Sequence, residues 1–248
     1  MKKIFYLSGL AFILFTALHC GKESVSSNAG NTGTGGSMAR FTIVGNYLYT
    51  VDNTTLKVFS ITDPVNPILK KSVTVGFAIE TIYPLADKLF LGSSTAVYIF
   101  SIADPEQPQQ LSTAITPEVL RRCDPVVAKD TVAYATLRTN GPCGGTQSVL
   151  ATYNIKDITK PVSVNVNMVQ EPYGLGYADS ALYVCQKSGL AIYNIQSAYT
   201  PVFRKSIDNG FYKDVIPYGN TLICWIEEGI VLYDITNRFS PQLIAKIN

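Results

Sequence analysis

Residues 230–241 have the sequence IVLYDITNRFSP, an apolar run that ends in Tyr-Asp-Ile and is followed by a polar turn closed by a proline. In four earlier stretches, too, an aromatic residue lies two positions before an isoleucine and a proline lies six positions after it. They are LKVFSITDPVNP at 56–67, VYIFSIADPEQP at 97–108, LATYNIKDITKP at 150–161 and LAIYNIQSAYTP at 190–201. The isoleucines are separated by 41, 53, 40 and 40 residues. Recurrence near 40 residues predicts a repeat architecture.

Each repeat divides into four runs of strand length separated by turn residues, such as KDVIPYG, LICWIE, IVLYDI and QLIAKIN in the last copy. Hairpin turns between the first two runs are predicted at Gly45-Asn46, Ala86-Asp87, Lys129-Asp130, Ala178-Asp179 and Gly219-Asn220. Five units of four antiparallel strands predict an all-β fold, a five-bladed β-propeller that spans residues 38–248. The first unit begins with its inner strand and the last ends with its outer strand. We therefore expect ring closure to depend mostly on side-chain packing between the first and fifth blades.

The strand order sorts the loops onto the two ends of the predicted propeller. The first-to-second turns and the proline-closed turns share one end, which we call the turn face, and they are alike in all copies. The second-to-third loops and the connections between blades share the opposite end, which we call the variable face, because they differ between copies. Loops on a rigid scaffold often carry function. A ligand site is therefore predicted on the variable face.

The N-terminus has the pattern of an export signal. Lys2 and Lys3 precede an apolar run at residues 4–18, and Cys20 follows. The run is short for a membrane span of about 20 residues and is typical of a secretory signal peptide, here residues 1–19. A cysteine at this position predicts a bacterial lipoprotein that is held in the cell envelope, at the outer membrane, by a lipid on Cys20. The alternative is an ordinary cleaved signal with an incidental cysteine.

Residues 20–37 are predicted to be the lipidated cysteine and a flexible tether. After Cys20 the segment is rich in Gly, Ser and Asn and has no aromatic residue, so it buries too little apolar surface to offset the entropy lost on ordering.

Charge and histidine content exclude several classes of function. Cleavage would remove Lys2 and Lys3 and leave 18 Lys and Arg against 18 Asp and Glu, so binding to nucleic acid is not expected. The only histidine, His19, lies in the signal. A processed chain without histidine cannot use Ser-His-Asp or Cys-His catalysis or a histidine-ligated zinc. No metal site and no cofactor is predicted.

The 53-residue interval contains an insertion, RTNGPCGGTQS at residues 138–148, in the second-to-third loop of the third blade. It carries Cys143, and Cys123 begins the first strand of the same blade, so both are expected on the variable face. Disulfides persist in exported proteins, and a Cys123–Cys143 bond would contribute about 3 kcal/mol. Two unpaired thiols are the alternative. Cys185 and Cys224 fall in second strands and are predicted to be small buried hydrophobic residues.

Seven residues near the starts of the first strands are the candidate ligand site at the mouth of the central channel. They are Arg40, Glu80, Arg122, Asp124, Tyr173, Lys213 and Asp214, found by aligning the copies on Leu48, Leu89, Val132, Leu182 and Leu222. Their divergence between blades favours a polar pocket for a small polar or carbohydrate-like ligand. In the alternative, opposite charges such as Arg40 and Glu80 only neutralise one another around a solvated channel.

The third strand of the last copy, IVLYD at residues 230–234, resembles the strand for which the LVIVD-repeat proteins are named. GGSMARF (35–41), IETIYPLADKLFLGS (79–93) and PYGLG (172–176) also look like segments of that family, and the resemblance covers the whole predicted domain. It implies an exported bacterial β-propeller lipoprotein of the kind found in the Bacteroidetes, without an assigned activity. This chain has Tyr173 where the family often has histidine, and Ser60 and Ser101 where it has Asp or Asn.

Three functions are compatible with these features. We expect a non-catalytic binding or interaction module on the cell envelope, with a glycan or protein ligand on the variable face, and not an enzyme. One alternative is a carbohydrate-active hydrolase, which needs two carboxylates about 5–10 Å apart; Glu80 and Asp124 lie on adjacent predicted blades. The other alternative is a purely structural envelope protein.

Overall fold

The computed structural model describes residues 35–94, 96–115, 125–138 and 147–248. These residues form 20 β-strands in five four-stranded sheets, and each sheet contains consecutive strands in chain order. Every pairing is antiparallel. The predicted all-β fold of five four-stranded units is therefore confirmed.

The strands have the following bounds. Sheet 1 contains β1 (Phe41–Val44), β2 (Tyr47–Val51), β3 (Thr55–Ser60) and β4 (Ile68–Thr74). Sheet 2 contains β5 (Ile79–Leu85), β6 (Lys88–Ser93), β7 (Ala96–Ser101) and β8 (Gln109–Ile115). Sheet 3 contains β9 (Val126–Lys129), β10 (Val132–Leu137), β11 (Val149–Asn154) and β12 (Val162–Met168). Sheet 4 contains β13 (Pro172–Ala178), β14 (Ala181–Gln186), β15 (Gly189–Asn194) and β16 (Val202–Ile207). Sheet 5 contains β17 (Tyr212–Tyr218), β18 (Thr221–Ile226), β19 (Gly229–Asp234) and β20 (Gln242–Ile247).

A two-residue hairpin turn joins the first two strands of every sheet. Its first residue has a positive φ of 51° to 58°, at Gly45, Ala86, Asp130, Asp179 and Gly219. A positive φ at this first position alone is the mark of the type II′ turn, whose twist matches that of the flanking strands. The turns of sheets 3 and 4 are Asp130-Thr131 and Asp179-Ser180, one residue later than predicted, because Lys129 and Ala178 still pair within the strands.

The proline-closed turns are held by their own polar side chains. The carboxylate or amide oxygen of the last β11, β15 or β19 residue accepts a hydrogen bond from the backbone N–H two residues later. The acceptors and donors are Asn154 and Lys156 at 2.9 Å, Asn194 and Gln196 at 2.8 Å, and Asp234 and Thr236 at 2.7 Å. Asp63 and Asp157, each three residues after the end of the third strand, accept the same kind of bond from the backbone N–H groups of Val65 and Thr159. Short polar side chains stabilise such turns, which accounts for the repeated Asp and Asn.

Four clusters of buried apolar side chains join neighbouring sheets. Tyr49, Leu56 and Leu89 belong to the cluster between sheets 1 and 2, and Phe90, Ala135 and Val149 to that between sheets 2 and 3. Tyr134, Leu150 and Leu182 belong to the cluster between sheets 3 and 4, and Tyr183, Cys185 and Leu222 to that between sheets 4 and 5. Successive strand residues point to opposite faces of a sheet, so sheets 2, 3 and 4 each supply side chains to two clusters.

A hydrogen bond from the second strand also connects successive sheets. The hydroxyls of Tyr49, Tyr134 and Tyr183 donate to the carbonyls of Pro105, Ala198 and Arg238, at 2.9, 2.7 and 2.8 Å. Each carbonyl has the same position in the proline-closed turn of the next sheet. Sheet 2 has Phe90 in place of this tyrosine, and the hydroxyl of Ser112 donates to the corresponding carbonyl of Ile158 at 2.6 Å. The proline-closed turns therefore connect the third and fourth strands of their own sheet and also bind the preceding sheet.

Sheet 5 differs from the others in the face that points away from sheet 4. Its residues Thr221, Ile223, Trp225, Ile230 and Leu232 are equivalent to Ala181, Tyr183, Cys185, Leu190 and Ile192 of sheet 4. The sheet 4 residues are all 0% exposed, whereas those of sheet 5 are partly exposed and Trp225 is 48% exposed. Among the residues that the structure describes, no hydrophobic cluster joins sheets 5 and 1. The packing expected between the first and fifth blades is thus not seen in this part of the chain.

Candidate ligand-binding site

Three predicted site residues lie at β-bulges where the first strands of sheets 2, 4 and 5 begin. The pairing register shifts between Ile79 and Thr81 in β5, so Glu80 is the extra residue. Similar shifts place Tyr173 in a bulge of β13, between Pro172 and Leu175, and leave Lys213 extra in β17. A bulge takes a side chain out of the regular alternation of a strand. The Glu80 and Lys213 side chains are thereby free of that alternation, whereas Tyr173 still packs against the edge of the cluster between sheets 4 and 5.

The segment of residues 35–40 lies among the first strands of the sheets, where the sequence predicted an open channel. Gly35 and Ser37 line a cavity of about 160 Å³, together with Tyr83 of β5, Tyr177 of β13 and Pro217 of β17. The backbone N–H of Ile82 donates to the carbonyl of Ala39 at 2.9 Å. Residues 35–37, assigned to the tether from their composition, therefore pack against several sheets.

Asp214 holds this segment in place. Its carboxylate accepts hydrogen bonds from the Ser37 hydroxyl at 3.1 Å, the Met38 N–H at 3.2 Å and its neighbour Val215 N–H at 2.9 Å. The Ser37 hydroxyl oxygen also accepts a bond from the Leu175 N–H at 2.7 Å. Asp214 is 8% exposed. It was predicted to face a ligand, but it binds the protein's own N-terminal segment.

Burial governs the chemistry of the Asp214 carboxyl. Removal from water disfavours the charged form and raises the pKa of Asp214 to about 6, although the hydrogen bonds from Val215, Met38 and Ser37 act in the opposite direction. A β-carbon at either Gly36 or Gly174 would collide with this carboxylate. Both positions need glycine because the chain passes so close to Asp214.

A small pocket at the variable face brings together Arg40, Glu80 and Tyr173 from the predicted set. It has a volume of about 130 Å³, and its other lining residues are Met38, Thr81, Pro125, Arg138 and Pro172. The Arg40 Nε donates to the backbone carbonyl of Glu80 at 3.3 Å. Arg138, which directly follows β10, was missed because the sequence analysis compared only the starts of the first strands.

A row of alternating cationic and aromatic side chains begins at this pocket. The guanidinium of Arg138 lies 4.0 Å from the centre of the Tyr173 ring, and Tyr173 and Phe211 have ring centres 4.5 Å apart. The Lys213 ammonium lies 5.6 Å from the centre of the Phe211 ring and 5.1 Å from that of Trp225. Cations within about 6 Å of a ring centre are attracted by the π-electrons of the ring. We call Arg138, Tyr173, Phe211, Lys213 and Trp225 the cation–aromatic row.

The cations of this region have no ion-pair partner among the residues that the structure describes. Six ion pairs are formed between described residues, and none includes Arg40, Arg138 or Lys213. By contrast, Lys187, in the second-to-third loop of sheet 4, lies 3.7 Å from a carboxylate oxygen of Glu171. The proposed ion pair between Arg40 and Glu80 is not seen: the Arg40 side chain donates to the backbone carbonyl of Glu80, not to its carboxylate.

Several predicted residues lie outside the described ranges. They are the candidate ligand residues Arg122 and Asp124, the candidate disulfide Cys123 and Cys143, and the lipidation residue Cys20. Cys185 and Cys224 are both 0% exposed and unpaired, as predicted. Burial raises the pKa of both thiols, so neither is a reactive thiolate.

Larger depressions lie elsewhere on the surface. One of about 780 Å³ is lined by Asn167, Gln186 and Phe203 among others, and one of about 490 Å³ by Lys129, Asp179 and Ala198 among others. Neither includes a residue of the predicted site. We place the candidate site at the smaller pocket because it combines convergent polar groups with positions at which the repeats differ.

Two features are absent from the residues that the structure describes. No group of three or more His, Cys, Asp and Glu side chains there could hold a metal ion. No helix there is long and apolar enough to span a membrane.

The comparisons with known proteins indicate the class of fold. No protein family model matches the sequence, and no curated protein is similar to it. The periplasmic gluconolactonase PpgL of Pseudomonas aeruginosa is similar in structure, with 12% identity, 81% of this chain and 67% of that chain covered, and a TM-score of 0.62. A protein from Lactobacillus plantarum shares 14% identity over 81% of this chain and 67% of its own, with a TM-score of 0.63. BamB from Moraxella catarrhalis shares 11% identity over 79% and 69%, with a TM-score of 0.50. These similarities support a β-propeller fold and show the fold alone.

Proposed function

We propose that this protein is an exported, lipid-anchored β-propeller that acts as a non-catalytic binding module on the bacterial cell envelope. The observation that carries the proposal is the cation–aromatic row beside the pocket of Arg40 and Glu80. Its two cations and Arg40 have no ion-pair partner among the described residues, and its rings are only partly covered. Groups of this kind on the face where the repeats differ are suited to a ligand.

The propeller is proposed to belong to the LVIVD-repeat proteins and to close as a ring of five blades around residues 35–40. The bonds from Ser37 and Met38 to Asp214 support closure, because they tie the segment before β1 to the first strand of sheet 5. The regular joining of sheets 1 to 5 by four clusters also supports it.

The anchor is proposed to be a lipid on Cys20 after removal of residues 1–19, with the protein held at the outer membrane. Gly35, the first described residue, lines the cavity with Tyr177 and Pro217, which lie near the turn-face ends of their strands. This position favours a tether that leaves on the turn face and a variable face that points away from the membrane. Mass spectrometry of the N-terminal peptide tests the anchor. We expect a lipid mass on Cys20, and an unmodified cysteine would rule out the proposed anchor.

Binding is tested by probing the purified protein with a glycan array and a panel of chromogenic glycosides. We expect retention of a glycan without turnover, and loss of retention when Tyr173 is changed to Ala. Tyr218→Ala is the control, because Tyr218 is 67% exposed and lies at the turn-face end of β17. No binding to any probe would favour the structural alternative.

A carbohydrate-active hydrolase is the second candidate, and the raised pKa of Asp214, about 6, is the feature in its favour. A carboxyl whose pKa is raised towards neutral can serve as a general acid. However, residues 36–38 cover Asp214, and a substrate would have to displace them. Turnover of a glycoside that is abolished by Glu80→Ala would favour the hydrolase over the binding module.

A further inference from the structure

We propose that the ligand of the variable face is an acidic polysaccharide whose sugar residues carry carboxylates, as in a chain of uronic acids. This inference rests on the proposed binding function and names the chemistry of the ligand. It follows from the charge of the pocket, the geometry of the cation–aromatic row and the partial exposure of the rings next to the pocket.

The described residues give the pocket an excess of positive charge. Among them, Arg40 and Arg138 line the pocket with one carboxylate, that of Glu80, and Lys213 lies further along the row. The nearby Asp214 carboxylate already accepts hydrogen bonds from Ser37, Met38 and Val215. An uncharged sugar would leave these cations without a counter-charge, whereas a carboxylate would supply one.

The pocket is the size of a small charged group. Its volume of about 130 Å³ corresponds to about four water molecules at ~30 Å³ each. It has room for the carboxylate of a sugar but not for a sugar chain. The Arg138 guanidinium carbon lies 4.0 Å from the centre of the Tyr173 ring. A contact with the ring face uses none of the N–H donors of a guanidinium, which can therefore make a bidentate contact with a carboxylate.

The row continues from the pocket as a surface for the rest of the chain. Tyr173 and Phe211 are only half-buried, and their ring centres lie 4.5 Å apart. A pyranose ring has a face of C–H groups that buries apolar area against an aromatic side chain. A uronic acid residue combines this apolar face with a carboxylate, and the row likewise alternates rings with cations. An acidic peptide has the carboxylates without the flat apolar faces, so the row fits it less well.

The test measures binding of an oligogalacturonate to the full chain in a non-ionic detergent by isothermal titration calorimetry. An uncharged oligogalactoside of the same length and a poly-glutamate peptide serve as the other ligands. We expect binding to oligogalacturonate alone, and weaker binding as salt is added because exposed charges are screened. Arg138→Gln should weaken it about tenfold, since it removes a charge-assisted hydrogen bond that is partly solvated.

Two further variants make the test specific. Glu80→Gln should strengthen binding several-fold, because it removes the one carboxylate that lines the pocket among the described residues. Lys187→Gln is the matched control: Lys187 is also a cation of the variable face, but it is paired with Glu171, and its loss should leave the affinity unchanged.

Each contrary outcome has a distinct meaning. Equal binding of the uncharged oligosaccharide would overturn the acidic ligand and leave the binding function standing. Binding of poly-glutamate alone would overturn the polysaccharide in favour of an acidic protein partner. Binding of none of the three would count against this inference, and it would count against the binding function as well if the glycan array also gave no ligand.

Discussion

Replacing Tyr183 by Phe isolates the hydrogen bond that links sheet 4 to the proline-closed turn of sheet 5. The Tyr183 hydroxyl donates to the carbonyl of Arg238 at 2.8 Å, and the side chain is 0% exposed. Phenylalanine keeps the ring and opens no cavity, so the loss is confined to one hydrogen bond. Such a bond contributes about 1 kcal/mol net, and leaving its partner unsatisfied costs about 1–3 kcal/mol. The half-buried Arg238 has some access to water, which places the expected loss near 1 kcal/mol.

The free energy of unfolding is measured by urea titration, with the thermal midpoint as a second observable. For a chain of this size, ~1 kcal/mol corresponds to a fall of about 2–4 °C. Tyr218→Phe is the matched control, because Tyr218 is 67% exposed, and we expect a change within about 0.5 kcal/mol. Ser112→Ala should cost as much as Tyr183→Phe, because Ser112 donates to the corresponding carbonyl of Ile158. If Tyr183→Phe and Tyr218→Phe unfold at the same urea concentration, the turns do not join the sheets as argued.

Three other substitutions test the closure of the ring and the N-terminal segment. If the ring is closed, Ile223→Tyr places a hydroxyl near the carbonyl of Pro64, the sheet 1 counterpart of Pro105. The new hydrogen bond should raise the free energy of unfolding by about 1 kcal/mol. An unchanged urea midpoint would count against this closure. Asp214→Asn should remove part of the pH dependence of the free energy of unfolding. The pKa of Asp214 is raised from 3.8 in the unfolded chain to about 6 in the folded protein, so the protonated carboxyl stabilises the fold. This stabilisation is complete below pH 3.8 and is lost as the pH rises through 6. The wild type should lose about 3 kcal/mol more than the variant in that window, whereas parallel stability curves would refute the assignment. Gly36→Ala should displace residues 35–40 and speed their cleavage by a protease, because its β-carbon collides with Asp214, while Gly35→Ala meets only Ala39 at 3.3 Å and should cleave like the wild type.

The architecture could be predicted because the features that define it are local and recur. The aromatic, the isoleucine and the proline of residues 230–241 mark a third strand and its turn in each copy, so counting copies counts sheets. The exact phase of the third copy could not be predicted in this way. Ala133, not Val132, is the residue equivalent to Leu182, because Asp130-Thr131 forms the turn and Lys129 extends β9 by one residue. Aspartate is common at turn positions, and nothing local distinguishes the two alternatives.

The site was predicted in part because it depends on contacts between distant segments. Alignment of the first strands found Glu80, Tyr173 and Lys213, since divergence at equivalent positions is visible in the sequence. The contacts of Asp214 with the N-terminal segment could not be predicted, because its partner Ser37 lies 177 residues away in a segment whose composition is that of a tether. Arg138 and Trp225 were missed because they lie in or beside the second strands, and only the assembly of sheets 3, 4 and 5 brings them into one row.

The two ends of the molecule are under different physical constraints, and this explains why the copies agree at one end and differ at the other. On the turn face, a change of backbone geometry would cost two things at once: the turn's own hydrogen bonds and the bond from the tyrosine of the preceding sheet. On the variable face, Glu80 and Lys213 are extra residues at bulges, where a side chain can change without altering the alternation that fills the clusters between sheets. Substitution there costs little stability, so these positions can diverge to suit a ligand. The most regular stretch of the sequence therefore builds the scaffold, and its least regular pairing positions carry the candidate site.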